Sequence, residues 1–81
     1  MNYQVEVTMA RPLDDRTRRF LDAVQRSANR LVSYTGDSAS IRLTVEVTAM
    51  GHEGAVRAAA GEMARIFPAS DDEKYGEPRP A

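Results

Sequence analysis

Apolar and polar residues alternate strictly from Tyr3 to Met9. This puts Tyr3, Val5, Val7 and Met9 on one face of an extended chain and Gln4, Glu6 and Thr8 on the other. The pattern predicts a half-buried first strand. Arg11-Pro12 breaks it, and Asp14 or Asp15 is placed to cap the free N–H groups of a helix that follows. At about 100° per residue, Phe20, Leu21, Val24 and Ala28 share the side of that helix expected to face the sheet, and Asn29 is suited to end it in a left-handed turn.

Two further alternating runs meet at Gly36-Asp37. A Gly-Asp pair supplies the positive φ of a tight two-residue connection, so Thr35 and Ser38 are expected to close a hairpin. In that register Tyr34 opposes Ala39, Ser33 opposes Ser40, Val32 opposes Ile41 and Leu31 opposes Arg42. The larger apolar residues then share one face, with Leu31 misplaced. A first helix running on through Leu31 and Val32 to Tyr34 also fits the period, but it leaves Gly36-Asp37 without a role. From Ala39 to Ala49 the alternation is long, with Ile41, Leu43, Val45 and Val47 inward and Arg42, Thr44, Glu46 and Thr48 outward. Gly51 ends it. From about Glu53 onward, Val56, Ala59, Ala60, Met63 and Phe67 line one face of a second helix, which Pro68 closes. Residues 1–68 therefore form a single α+β domain, and the acidic, then Pro-rich stretch 69–81 reads as a tail or docking arm that cannot build core alone.

The order is β-α-β-β-α, with both helices on one face of an antiparallel sheet whose other face is polar. A two-layer α+β sandwich tolerates one wet sheet face. In this order residues 2 to 68 resemble the ferredoxin-like fold, β-α-β-β-α-β, with the final strand missing or reduced to a remnant near Lys74-Tyr75. The stretches Ser33 to Ser38, Ile41 to Val47 and Glu53 to Ala58 also resemble small actinobacterial proteins, a likeness that brings no activity with it. The ferredoxin-like resemblance implies that the last strand pairs with the first. Its loss leaves Tyr3 to Met9 as an open edge, a template for another strand.

That edge carries the leading functional expectation. The chain is expected to be a self-associating interaction module, a homodimer or other closed oligomer, with Tyr3, Val5, Val7 and Tyr75 at the contact. It forms by pairing first strands or by laying the tail of one chain on the edge of another. The contrary expectation is a monomer whose own tail covers the edge; an unidentified protein partner is a third occupant. A second candidate interface is the small-residue patch of Ala58 and Gly61 beside Arg65. A helical Gly costs about 1 kcal/mol relative to Ala, which either close helix approach or simple tolerance explains.

Composition narrows the chemistry. At 81 residues the chain buries only about 60% of the surface it exposes when unfolded, a marginal core that invites oligomerisation. Eleven basic residues against 12 acidic ones give no whole-molecule field toward nucleic acid or anionic membrane. The absence of cysteine excludes disulfides, thiolate metal ligands and a cysteine nucleophile. The start has neither a basic nor an apolar leader region, and no window approaches the roughly 18 apolar residues of a membrane span, so a cytoplasmic location is expected. Ten Arg beside a single Lys, with abundant Ala, suggests a GC-rich bacterial genome.

Arg16, Arg19, Arg26 and Arg30 fall in one stripe, which suits a phosphate backbone. Yet Asp15 and Asp22 each precede an Arg by four residues, the order that salt-bridges a solvated helix face. The polar sheet face lacks the stacking aromatics of an RNA-reading sheet, so nucleic-acid binding is a lesser alternative. No enzyme is expected. The single histidine, His52, lies at a strand-to-helix junction in Met50 to Gly54, where helix N–H groups are placed to hold an anion. Gly-His-Glu-Gly matches no zinc spacing, so an exposed turn or capping role is the plainer account and no metal or cofactor is expected. Glu6 and Glu46 share the polar face and would do acid/base work only if paired in a pocket; Arg42 is the simpler partner for either. A small-molecule-binding regulatory domain is the main alternative function, resting on fold analogy alone.

Overall fold

The computed structural model describes residues 1–27, 30–68 and 72–81. Among these residues the elements are, in order, β1 (Asn2–Met9), α1 (Asp15–Arg26), β2 (Leu31–Gly36), β3 (Ile41–Thr48), α2 (His52–Ile66), β4 (Lys74–Tyr75) and β5 (Arg79–Pro80). The sheet is antiparallel in the order β2-β3-β1-β4, with β5 on the same side of β1 as β4. This is an α+β architecture consistent with a ferredoxin-like arrangement. The final strand is residual rather than missing, split into two short pieces.

β1 and β3 form the centre because both alternate without interruption. They pair from Asn2↔Thr48 to Met9↔Ile41 with no break. Tyr3, Val5, Val7 and Met9 lie beside Val47, Val45, Leu43 and Ile41, and all eight are buried. Burying such a side chain contributes on the order of 1.5–3 kcal/mol, so this double row is the main stabilising block. Leu21 covers it from α1, and Ala55, Ala59, Met63 and Ile66 cover it from α2. Polar side chains take the other face, where Arg42 reaches diagonally to Glu6 at 3.6 Å. Glu6 stands opposite Thr44 and Glu46 opposite Gln4, so the two carboxylates do not face each other.

The hairpin forms, but with a longer loop than Gly36-Asp37 predicts. Gly36 pairs with Ile41, Thr35 with Arg42 and Tyr34 with Leu43, leaving residues 37–40 as the connection. The Asp37 carboxylate accepts from Ala39 N and Ser40 N at 2.8 and 3.0 Å, an Asx turn that closes the loop. Gly36 is required for close approach, since a Cβ there would meet Ser40 O at 2.7 Å. A bulge between Leu31 and Ser33 resolves the misplaced leucine: Leu31 pairs with Val45 and is buried, while Val32 turns outward.

α1 begins as expected, with Asp14 accepting from Thr17 N at 2.8 Å. It ends earlier than Asn29, at Arg26, where the Ser27 hydroxyl and N–H both donate to Ala23 O. Ala28 and Asn29 fall outside the described residues. The inward face is Thr17, Leu21 and Val24, and Phe20 is rotated off it with 41% of its surface exposed. In α2 the buried stripe is Ala55, Ala59, Met63 and Ile66, so Val56 and Ala60 are only half-buried; Phe67, just beyond the helix, is buried as predicted.

Candidate functional site

Tyr3, Val5, Val7 and Tyr75 lie together along the outer flank of β1. β1 presents no bare edge in the isolated chain, contrary to the sequence-based expectation, because its own C-terminal segment occupies that flank. Val7 pairs with Tyr75 and Thr8 with Lys74; further along, Tyr3 pairs with Pro80 and Gln4 with Arg79. Between these pairings Gly76, Glu77 and Pro78 stand against only Val5 and Glu6, so the last strand carries one extra residue as a bulge.

The backbone direction explains why a Pro-rich tail fits. Gly76 N donates to Glu6 O at 2.8 Å and Ala81 N to Asn2 O at 2.9 Å, so even-numbered residues of β1 turn their backbone groups toward the tail. Pro80 lies opposite Tyr3, an odd position whose groups point to β3, and its missing N–H leaves no gap in the ladder. The side chains of Tyr3, Val5 and Val7 point into the core and are fully covered, so an edge partner meets the backbone of β1 and not these side chains.

The tail is also held by side chains. Tyr75 is half-buried against the core and Pro78 is buried. The Tyr75 hydroxyl donates to Glu73 Oε1 at 3.2 Å. Burial, with the nearby Glu73 charge and this hydrogen bond, pushes the phenol up to about 12. Glu77 Oε1 lies 4.0 Å from Nδ1 of His52, whose ring packs edge-on against Tyr3 at 5.5 Å between centroids. His52, the first residue of α2, is thus a contact point for the tail.

Ala58 and Gly61 are not part of this flank. Ala58 is half-buried against the core, in a cleft with Arg30, Val47 and Thr48, and Gly61 is exposed, with nothing near the position of an added Cβ. No close helix approach accounts for that glycine in the isolated chain.

The arginine stripe differs from its expectation. Asp22 accepts a hydrogen bond from Tyr34, which, with burial, raises that phenol, and neither Asp15–Arg19 nor Asp22–Arg26 forms an ion pair. Arg30 lies beyond the end of α1 and its carbonyl accepts from Glu46 N. Among the described residues no three His, Asp or Glu side chains converge as a metal site would need, and no helix is long and apolar enough to cross a membrane.

One cluster escaped sequence reading. The Arg11 guanidinium lies over the Phe67 ring at 4.7 Å, and Phe67 meets Phe20 at 5.7 Å. Three positions so far apart in the chain carry no shared period. The only hint was Phe20 at the margin of the helix's apolar arc.

Compared with protein-family models, curated proteins and solved structures, the chain matches none.

Proposed function

We propose that the chain is a small self-associating protein-interaction module in which the C-terminal strand, rather than a bare edge, is the exchanged element. In one state the tail lies on its own β1; in the other it lies on the β1 of a second copy, which returns its own tail. Both states make the same pairings, so exchange gives a closed two-fold dimer without new surface. The carrying observation is the way the tail is attached: two two-residue pairings separated by a bulge, against eight unbroken pairs on the other flank of the same strand. Short, interrupted pairing opens at lower free energy than the rest of the sheet, and an opened β1 is a template for a strand.

The experiment is molar mass by light scattering across a concentration series, on the full chain and on a chain ending at Pro68. The full chain is expected to shift from monomer toward dimer as concentration rises, and the shortened chain to lose that dimer. A full chain that stays monomeric at every concentration contradicts the proposal, as does a dimer that survives removal of the tail.

A further inference from the structure

We propose that the seam between α1 and α2 is a docking groove for an acidic amphipathic helix of a partner protein. Both helices rest on the sheet, and a run of clefts separates them. One, of about 370 Å³, is lined by Arg11, Arg16, Phe20 and Phe67 among others. The next, of about 320 Å³, shares Phe20 and continues past Val24, Ile66 and Arg65. A third, of about 140 Å³, shares Glu62 with the second but lies past the end of α1, where Ala58 of α2 stands over Val47 and Thr48 of β3 beside Arg30. From Arg16 to Ser27 the wall formed by α1 runs roughly 16 Å at 1.5 Å rise per residue, about three helical turns.

Three features select the occupant. First, the middle of the floor is apolar: Phe20 is 41% exposed there, beside Val24 and Ile66, while the cleft at Arg11 and Phe67 is mostly polar. A large aromatic left open between two helices is the kind of surface that a partner's apolar side chains cover. Second, the rim is basic. Arg11, Arg16, Arg30 and Arg65 line the clefts against Asp14 and Glu62. Asp14 is engaged in capping Thr17, and Glu62 is 4.0 Å from Arg65. Residues 11–30 hold six Arg against three Asp, so acidic flanks on the partner are favoured. Third, the walls are helices whose backbone groups are satisfied internally. An extended peptide would find no backbone partner there, whereas a helix satisfies its own and needs only side-chain anchors at i, i+3, i+4 and i+7. The half-buried Ala58 lets the α2 wall stay low where the third cleft opens.

The test uses the full chain and two labelled peptides of about three helical turns, with leucine at the anchor spacing and glutamate or lysine elsewhere. By fluorescence anisotropy the glutamate peptide is expected to bind at least about tenfold more tightly than the lysine peptide, and less tightly as salt rises. Arg16→Glu, an exposed change that leaves the core intact, is expected to weaken binding about tenfold. Phe20→Ser is expected to abolish it, and Arg57→Glu, an exposed residue that lines none of the three clefts, to leave it unchanged. Amide shifts are expected to move at Phe20, Val24 and Arg65. Equal binding of the two peptides, binding of neither, full affinity in Arg16→Glu, or shifts confined to β1 and the tail would overturn the proposal. So would binding to phosphatidylserine-containing vesicles without binding to the peptide, which would assign the arginines to an anionic surface.

Discussion

The two flanks of β1 are built from one strand and held very differently. Toward β3, eight residues pair in unbroken register and send alternate side chains into the centre of the core. Toward the tail, four residues pair in two groups around a bulge, with Tyr75 and Pro78 as buried or half-buried side-chain anchors. The backbone of β1 offers the same donors and acceptors on both sides, so backbone chemistry does not set the difference. Continuity of register and apolar burial do. One flank is continuous and the other interrupted, and the proposed self-association rests on that inequality, taking the first flank as permanent and the second as replaceable.

The largest effect is expected from breaking the permanent flank. Leu43→Ala, at a fully buried site opposite Val7, removes core volume and should cost about 2–5 kcal/mol, enough to unfold most of a domain this small. Urea unfolding checks it, and a loss well below this range would mean that β1–β3 is not the central block. Next is Gly36→Ala. Its Cβ would press on Ser40 O, and overpacking of about 1–3 kcal/mol is expected, felt in β2 and β3 while the tail pairings persist in amide-exchange profiles.

A smaller effect, confined to the replaceable flank, is expected from alkali. The docked Tyr75 phenol titrates near 12, above its ordinary 10, so between these values the released tail gives up its proton more readily than the docked one. Docking is therefore at full strength below pH 10 and weakens as pH rises toward 12. Tail amides should lose protection over that interval before those of β3, and Tyr75→Phe should remove this component. Measuring that variant in parallel separates Tyr75 from Tyr34, whose phenol is also raised.

The smallest effect is expected from acid. Backbone hydrogen bonds from Thr17 to Asp14, and from Ala39 and Ser40 to Asp37, hold both carboxyls below the ordinary 3.8. Their contribution is present above that value and lost as pH falls through the lowered ones. Asp14→Ala and Asp37→Ala should each flatten the acid limb of the stability curve, leaving both flanks of β1 intact.

Where the sequence was legible, one period governed a whole element. β1 and β3 alternate without exception, and Asp14 begins α1 where a capping residue is needed. β2 was misread for two physical reasons. The Asp37 side chain takes the Ala39 and Ser40 N–H groups and lengthens the loop, and the bulge at Val32 reverses parity, which alternation cannot encode. Of the last strand the remnant at Lys74-Tyr75 was legible, but the piece at Arg79–Pro80 hid behind Pro78 and Pro80 because two residues have no period, and a proline opposite a non-bonded position is tolerated only once the register is known. The helix seam was the least legible, since Arg11, Phe20 and Phe67 come together only after the sheet has placed both helices. The sequence did locate the β1 flank, although it assigned an interface to side chains that point inward.

Exchange of the tail is tested most directly by chemistry between two different chains. One chain carries Thr8→Cys and the other Lys74→Cys, positions that pair across β1 and β4 and are otherwise free of competing thiols. Paired strand positions have the Cα separation that a disulfide accepts. Mixed at high concentration and oxidised slowly, the two chains are expected to form a disulfide with each other in preference to either homodimer. They should also do so well above a control pairing Arg57→Cys with Lys74→Cys. A yield no greater than that control would mean that each tail stays on its own β1, contradicting self-association by strand exchange.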